Sequence, residues 1–467
     1  MALLCLDSVR EDFFREYAPR LQRRADVVYT QCRAVSGWSV PSHASMFTGE
    51  LPSVHGIHVH TRYSTPRSAE DTSLGDRDLH PFGVCENTYA ISAFGCDELF
   101  NAYTDIPPNR RFPKGMDVAQ FGKDNDEVGV HKHAAFAREA AAHDHPIASL
   151  ANGVFDRLDE WLAESSIPKL FDDGANIVLR GLKKGVDRAE EPFFAFANFM
   201  NAHSPYYHLY SYDRALHSAS SAWSSSGYST HGVNVADDLG PYEADLRKTR
   251  ELYGASIDYL DGKIDAFIPE LLAETNEETT VVVTADHGEN LGLESDGKMV
   301  GHRGLMSEGL LHIPLMIVNP PEFGSSSTIE EFVSHLSLPT LLVGLAKGIL
   351  PDITADHVRA ERVGSLMADI VDPDSEEGRY WNRMIRVLYK DGLKREWATA
   401  AAPQTLELDS ERANWQSPVD HAFDSTAPDT KYFTVPITEY KRRAETKHKS
   451  ADVDATTRDR LEELGYL

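Results

Sequence analysis

The sequence predicts an α/β fold, a mostly parallel sheet flanked by helices, and three observations carry that prediction. Short apolar runs, mostly rich in β-branched or aromatic residues, recur at 3–6, 27–29, 89–94, 193–200, 280–284 and 315–318. Helical stretches separate them, which is the alternation that builds parallel sheets. Two of the runs also end in an acidic residue beside a turn, Asp7-Ser8 after the first and Asp286-His287-Gly288 after the fifth. Open α/β sheets place their ligands at such carboxyl ends.

Between the runs, helical patterns are clearest at 127–142, 154–164, 237–274 and 338–347. In the long one, Leu252, Ile257, Leu260, Ile264, Ile268 and Leu271 recur at helical spacing, so Tyr253 and Tyr259 read as packing residues. The Ser-rich tract within 209–238 interrupts the alternation. Following His203 directly, it reads as a mobile cover over a site. Beyond residue 352 the texture changes: 385–389 and 393–399, joined across Asp391-Gly392, form a hairpin pattern. The Ser/Asp-rich stretch 401–430 reads as loop and 456–464 as a short terminal helix. A chain of 467 residues exceeds the usual single core, which gives a large domain over 1–350 and a smaller one over 351–467.

With 73 acidic against 46 basic residues the net charge is −27, which excludes nucleic acid and anionic membranes as expected partners. The acids are spread along the chain, as on a solubilising surface selected by a high-salt cytoplasm. No apolar run approaches the roughly 20 residues of a membrane span, and the first strand leaves no room for a signal peptide, so the expected location is cytoplasmic. Cys5, Cys32, Cys85 and Cys96 have no zinc or disulfide spacing. Nothing in the sequence specifies an oligomeric state.

Asp286 and His287 are good ligand types for a divalent cation, and Asp7 stands at a second strand end. The segment Gly37-Trp38-Ser39-Val40-Pro41-Ser42-His43-Ala44 has a proline suited to a first helical turn, with Ser39 at the helix mouth, where backbone N–H groups favour an anion. Further along stand His203-Ser204-Pro205, Gly301-His302-Arg303-Gly304, His312-Ile313-Pro314-Leu315 and the ending Leu461-Glu462-Glu463-Leu464-Gly465-Tyr466-Leu467. In this order these segments resemble the sulfatase family of the alkaline phosphatase superfamily, and the resemblance spans nearly the whole chain.

The resemblance implies an alkaline-phosphatase-like sheet, with the hairpin belonging to a small C-terminal antiparallel sheet. It also implies hydrolysis of a small anionic ester. One divalent ion on Asp7, Asp286 and His287 would acidify Ser39, the nucleophile. His203 would act as a catalytic acid and His302 and His43 would contact the substrate. The chain departs from the pattern where His43 replaces an arginine, Ser8 an aspartate and Asn201 another aspartate. The first change argues for plain serine rather than formylglycine at 39. The others remove carboxylates and so favour manganese or zinc, with calcium as the alternative. Sulfate-ester hydrolysis is the leading expectation. The alternatives are a phosphodiesterase, phosphonate hydrolase or headgroup phosphotransferase on the same fold, and a non-catalytic binding protein.

Overall fold

The computed structural model describes residues 1–61, 72, 79–87, 90, 92, 95–106, 112, 114–118, 121–122, 125, 130–163, 167–170, 172, 174–302, 304–321, 326–365, 371–372, 374–420 and 428–446. Among these, eight strands form the main sheet: β1 (Ala2–Leu6), β2 (Val27–Arg33), β3 (His80–Cys85), β4 (Ala102–Asp105), β5 (Phe193–Phe199), β6 (Val281–Thr284), β7 (Leu315–Val318) and β8 (Ser327–Ser334). Their order is β4-β3-β5-β1-β6-β7-β2-β8. All run parallel except β7, which is antiparallel to both β6 and β2. The central strands β1, β5 and β6 are apolar at nearly every position and buried along their whole length, as strands covered on both faces must be. The edge strands β4 and β8 alternate or are half exposed.

The long helix spans Glu243–Glu274, and all six of its predicted apolar positions are buried. Helices Val130–Ala142 and Leu338–Ala346 fall where the periodicity places them, Pro146–Ala163 begins well before the 154–164 pattern, and Ala175–Val186 packs on β3 and β5 in addition. Beyond residue 350, β9 (Val358–Val363), β10 (Met384–Lys390), β11 (Leu393–Ala398), β12 (Ala401–Leu408) and β13 (Gln416–Pro418) form a separate antiparallel sheet. The β10–β11 turn puts Asp391 at φ 52° and Gly392 at φ 74°, the two left-handed positions that a tight Asp-Gly hairpin turn requires. Val358, Ala360, Ile385, Val387 and Tyr389 join the same hydrophobic core as the main sheet.

Three expectations change. The run at 89–94 is not a strand at the residues described there, and the strand lies earlier, at His80–Cys85. Pro81 and Gly83 disguise it. Pro81 stands one residue before the β4 pairing begins at Phe82, so its missing N–H breaks no bond to that strand. The stretch 401–430 holds β12 and β13 rather than loop alone, because it completes the edge of the antiparallel sheet beside β11. The Ser-rich tract is pinned along the long helix: Ser218 bonds Glu251, the Trp223 indole bonds Asp245, and Tyr228 meets Thr249. The helix expected at 456–464 lies outside the described residues. No described helix is long and apolar enough to cross a membrane.

Candidate active site

Register brings the predicted residues together. Cys5 of β1 lies opposite Thr284 of β6 on one side and Asn198 of β5 on the other, and Asn198 in turn faces Cys85 of β3. Counting two residues past Cys5, Thr284 and Cys85 gives Asp7, Asp286 and Asn87, which therefore emerge side by side at the carboxyl edge of the sheet. Ligand atoms of Asp7, Asp286 and His287 all lie within 4.8 Å of one another, and all three residues are fully buried.

The turn that delivers Asp7 is held from several directions. Ser8 adopts φ 62°, a left-handed conformation that costs a non-glycine residue on the order of 1–3 kcal/mol. Its backbone N–H donates to Asp286 Oδ1 at 3.1 Å and its hydroxyl to Asp7 Oδ1 at 2.9 Å. Its carbonyl accepts from the Tyr253 hydroxyl at 2.7 Å, and the Tyr253 hydroxyl oxygen accepts in turn from the Arg10 backbone N–H at 3.0 Å. Tyr253 is thus a packing residue that also fastens the site to the long helix. Asn87 Nδ2 donates to Asp7 Oδ2 at 2.5 Å.

Ser39 opens the Ser39–Thr48 helix, which is buried from Ser39 through Phe47 and has no side-chain cap. Its hydroxyl lies 3.4 Å from Asp7 Oδ2 and 3.2 Å from His287 Nε2. The His287 Nδ1 donates to the Gly288 carbonyl at 2.7 Å, which leaves Nε2 as the lone-pair nitrogen turned toward Ser39. His43 sits one helical turn below, its Nδ1 on the Ser39 carbonyl at 2.9 Å and its Nε2 near Asn198 and Cys5. Both ring nitrogens face groups of the protein, so His43 braces the Ser39–Thr48 helix from within.

His203 and His302 complete the cluster, their rings 5.2 Å apart and His302 4.9 Å from His287. His203 Nδ1 meets the Ser204 carbonyl at 2.5 Å, and His302 Nδ1 meets Glu289 Oε2 at 3.4 Å, which fixes both rings. The segment around His302 is gripped from the C-terminal sheet. Arg362 Nη1 donates to the His302 carbonyl and Arg383 Nη2 to the Gly304 carbonyl, each at 3.1 Å. Gly304, at φ 143°, lies so close to the Trp381 ring that a Cβ would stand 2.2 Å from it.

Burial alone would raise the Asp286 carboxyl, but His287 and His43 hold it below the usual carboxylate range. Burial would lower His287, yet Asp286 and Asp7 hold it above its ordinary value. Burial pushes Glu289 up to about 7 against the opposing pull of His203 and His287. Asp286 Oδ2 is buried with no hydrogen-bond partner. A buried carboxylate oxygen without a donor is costly, and a cation shared with Asp7 and His287 would satisfy it. The donor set, two carboxylates and one imidazole, therefore fits a divalent ion.

All seven predicted residues lie in or against this cluster. Sequence reasoning missed Asn87, Asn198, Glu289 and the gripping arginines. Only Glu289 carried a local signal, inside the Asp286-His287-Gly288-Glu289 run; Asn87 follows a strand that Pro81 and Gly83 disguise.

A family model described as Sulfatase matches residues 86–349, a span that holds His203, Asp286, His287 and His302 and begins after Asp7 and Ser39. YidJ, an uncharacterized sulfatase of Escherichia coli (strain K12), is 27% identical over 181 residues, covering 36% of this chain and 34% of that protein. The match thus spans about a third of that curated relative's length. Among solved structures, the phosphonate monoester hydrolase of Agrobacterium radiobacter is similar with a TM-score of 0.56 and 15% identity, over 96% of this chain and 95% of that one. The phosphonate monoester hydrolase from Silicibacter pomeroyi gives 0.52 and 14% over 97% and 96%. A putative sulfatase from Bacteroides thetaiotaomicron gives 0.53 and 10% over 98% and 96%. At these identities the likeness to the solved structures is one of fold.

Proposed function

The chain belongs to the sulfatase family, and from that premise we propose that it is a metal-dependent hydrolase of sulfate esters with Ser39 as nucleophile. The observation that carries the reading is the meeting of Asp7, Ser39, Asp286 and His287 at one buried point of the sheet edge. Asp7, Asp286 and His287 would hold the ion, which when bound supplies positive charge for the ester oxygens and acidifies the Ser39 hydroxyl. With two carboxylates and one imidazole, and Ser8 in place of a further acid, manganese or zinc suits the site better than calcium.

In the reaction, Ser39 Oγ attacks sulfur, with Asp7 Oδ2 positioned to take its proton. The ester S–O bond breaks, its electrons stay on the alcohol oxygen, and that oxygen takes a proton from His203 or His302. Water then cleaves the Ser39 sulfate ester and restores the hydroxyl. The mouth of the Ser39–Thr48 helix favours the anionic group through its dipole and backbone N–H groups. The smaller unit beyond residue 350 has the role of holding the His302 segment through Arg362, Trp381 and Arg383.

A second reading is phosphonate or phosphate monoester hydrolysis, favoured by the two phosphonate monoester hydrolases among the similar folds. Both readings are tested by assaying sulfate and phosphate release from matched aryl sulfate, phosphate and phosphonate esters, with Ser39→Ala as control. Sulfate release that vanishes in Ser39→Ala supports the proposal. Preferential turnover of the phosphorus esters selects the second reading, and turnover of any ester that survives Ser39→Ala refutes the nucleophile.

A further inference from the structure

Away from the carboxyl edge, a cavity of about 810 Å³ lies between the Ala175–Val186 helix, strands β3 and β4, and the segments carrying Lys114 and His145. None of the candidate active-site residues lines it. Its inner wall is apolar, with Phe82, Val84, Ile106 and Ile177 all buried. Its rim is cationic: Arg180, Lys184 and Arg188 recur every fourth residue along one side, and Lys114 stands on the rim with them.

Cations near the end of a helix are ordinary complements of its dipole. Here their pairing distinguishes them. Lys183, the neighbour on the same helix, reaches Glu270 and Glu274 of the long helix. The four rim cations have no ion-pair partner among the described residues, although the chain carries 73 acids against 46 bases. Glu190, the acid on the rim, is turned to His80 at 3.7 Å. A chain with so large an acidic excess has gathered unpaired positive charge at the mouth of an apolar cavity, and the volume lies in the range of small-molecule sites.

We propose that this cavity binds a small amphipathic anion, an apolar alkyl or aryl body carrying one sulfonate, sulfate, phosphate or carboxylate head. The body lies against Phe82, Val84 and Ile177, and the head meets Arg180 and Lys184. The proposal is independent of the hydrolase reading. Because the rim cations are exposed, added salt weakens the interaction by screening.

The test is a fluorescence titration of the full chain with 8-anilinonaphthalene-1-sulfonate, followed by displacement with dodecanoate and with dodecanol. Two variants accompany it: Arg180→Glu/Lys184→Glu, and Thr104→Trp, which fills the cavity from an exposed position on β4. Circular dichroism confirms that both fold. One saturable site is expected, weakened by about tenfold or more in each variant, a change of about 1.4 kcal/mol. It is unchanged in Ser39→Ala and displaced by dodecanoate far better than by dodecanol. Absence of a saturable site, affinity unmoved by either variant, or equal displacement by the neutral alcohol would each overturn the proposal.

Discussion

Replacing Glu308 by glutamine should remove an acid-sensitive part of the protein's stability, and the structure gives its size. The Glu308 carboxylate is buried against Arg33 at 3.0 Å, the Tyr389 hydroxyl at 2.6 Å and Lys394 at 3.4 Å, joining β2 to the C-terminal sheet. Burial alone would raise its pKa, but Arg33, Lys394 and His312 outweigh burial and bring it from 4.5 down to about 2. A depressed carboxylate stabilises the fold above its unfolded pKa, and that contribution is lost as pH falls through the window from 4.5 to about 2. At about 1.4 kcal/mol per pH unit the loss is about 3 kcal/mol. Burial pushes Lys394 below its ordinary value, which offsets part of this, so the figure is an upper bound. Near pH 6, Glu308→Gln leaves Arg33 and Lys394 without their counter-charge and should cost about 3–5 kcal/mol. Urea unfolding of both proteins from pH 6 to pH 2.5 measures the gap. It should narrow as pH falls below 4.5, and a gap that stays constant across that window would refute the argument.

Other predictions concern the site and the surface. Arg362→Ala removes a charged donor from the His302 carbonyl, a bond of the kind worth about 1.5–3 kcal/mol, so kcat/KM should fall about 10- to 100-fold while metal content stays unchanged. Unaltered kinetics would sever the C-terminal sheet from catalysis. Gly288→Ala puts a Cβ 2.1 Å from the Gly309 carbonyl oxygen, a backbone atom that cannot step aside. The Asp286-His287 turn must then move, and activity should drop by at least about tenfold, about 1.4 kcal/mol in the barrier. Wild-type turnover in that variant would show the turn to be tolerant. The proteolytic peptide carrying Ser39 should have the mass of unmodified serine, and stoichiometric loss of two hydrogens would establish formylglycine instead. The melting temperature should rise between about 0.1 M and about 1 M monovalent salt as the net charge of −27 is screened, and indifference to salt would remove the halophilic reading.

What the sequence made legible was whatever has a local pattern. The apolar endings before Asp7 and Asp286 declared central parallel strands, and the spacing within the long helix declared its buried face. The six aliphatic positions there are buried as read. Strands β4 and β8 gave no such signal because edge strands need only one covered face, and β3 was hidden by Pro81 and Gly83. In the site, the candidate ligands Asp7, Asp286 and His287 and the hydroxyl of Ser39 were readable because their chemistry is specific to their residue types. Their supports were not. Tyr253 reads as one more aromatic on an apolar face, and its bond to the Ser8 carbonyl exists only because β1 meets the long helix. Arg362 and Arg383 lie in a region whose strands were only half foreseen, and a buried arginine aimed at a backbone carbonyl leaves no mark on spacing. His43 was legible only by its position in the motif, and its contacts with Ser39, Asn198 and Cys5 follow from how deeply the helix is buried.

The most direct test of the account is the metal content of the purified chain and of Asp286→Asn, measured by mass spectrometry after dialysis against buffer containing manganese and zinc. Asp286 Oδ2 is a buried carboxylate oxygen that lacks a donor, and asparagine keeps its shape while removing the charge. About one manganese or zinc ion per wild-type chain is expected and none in the variant, whose sheet remains intact by circular dichroism. A wild-type chain that takes up no ion, or a variant that keeps a full equivalent, would contradict it.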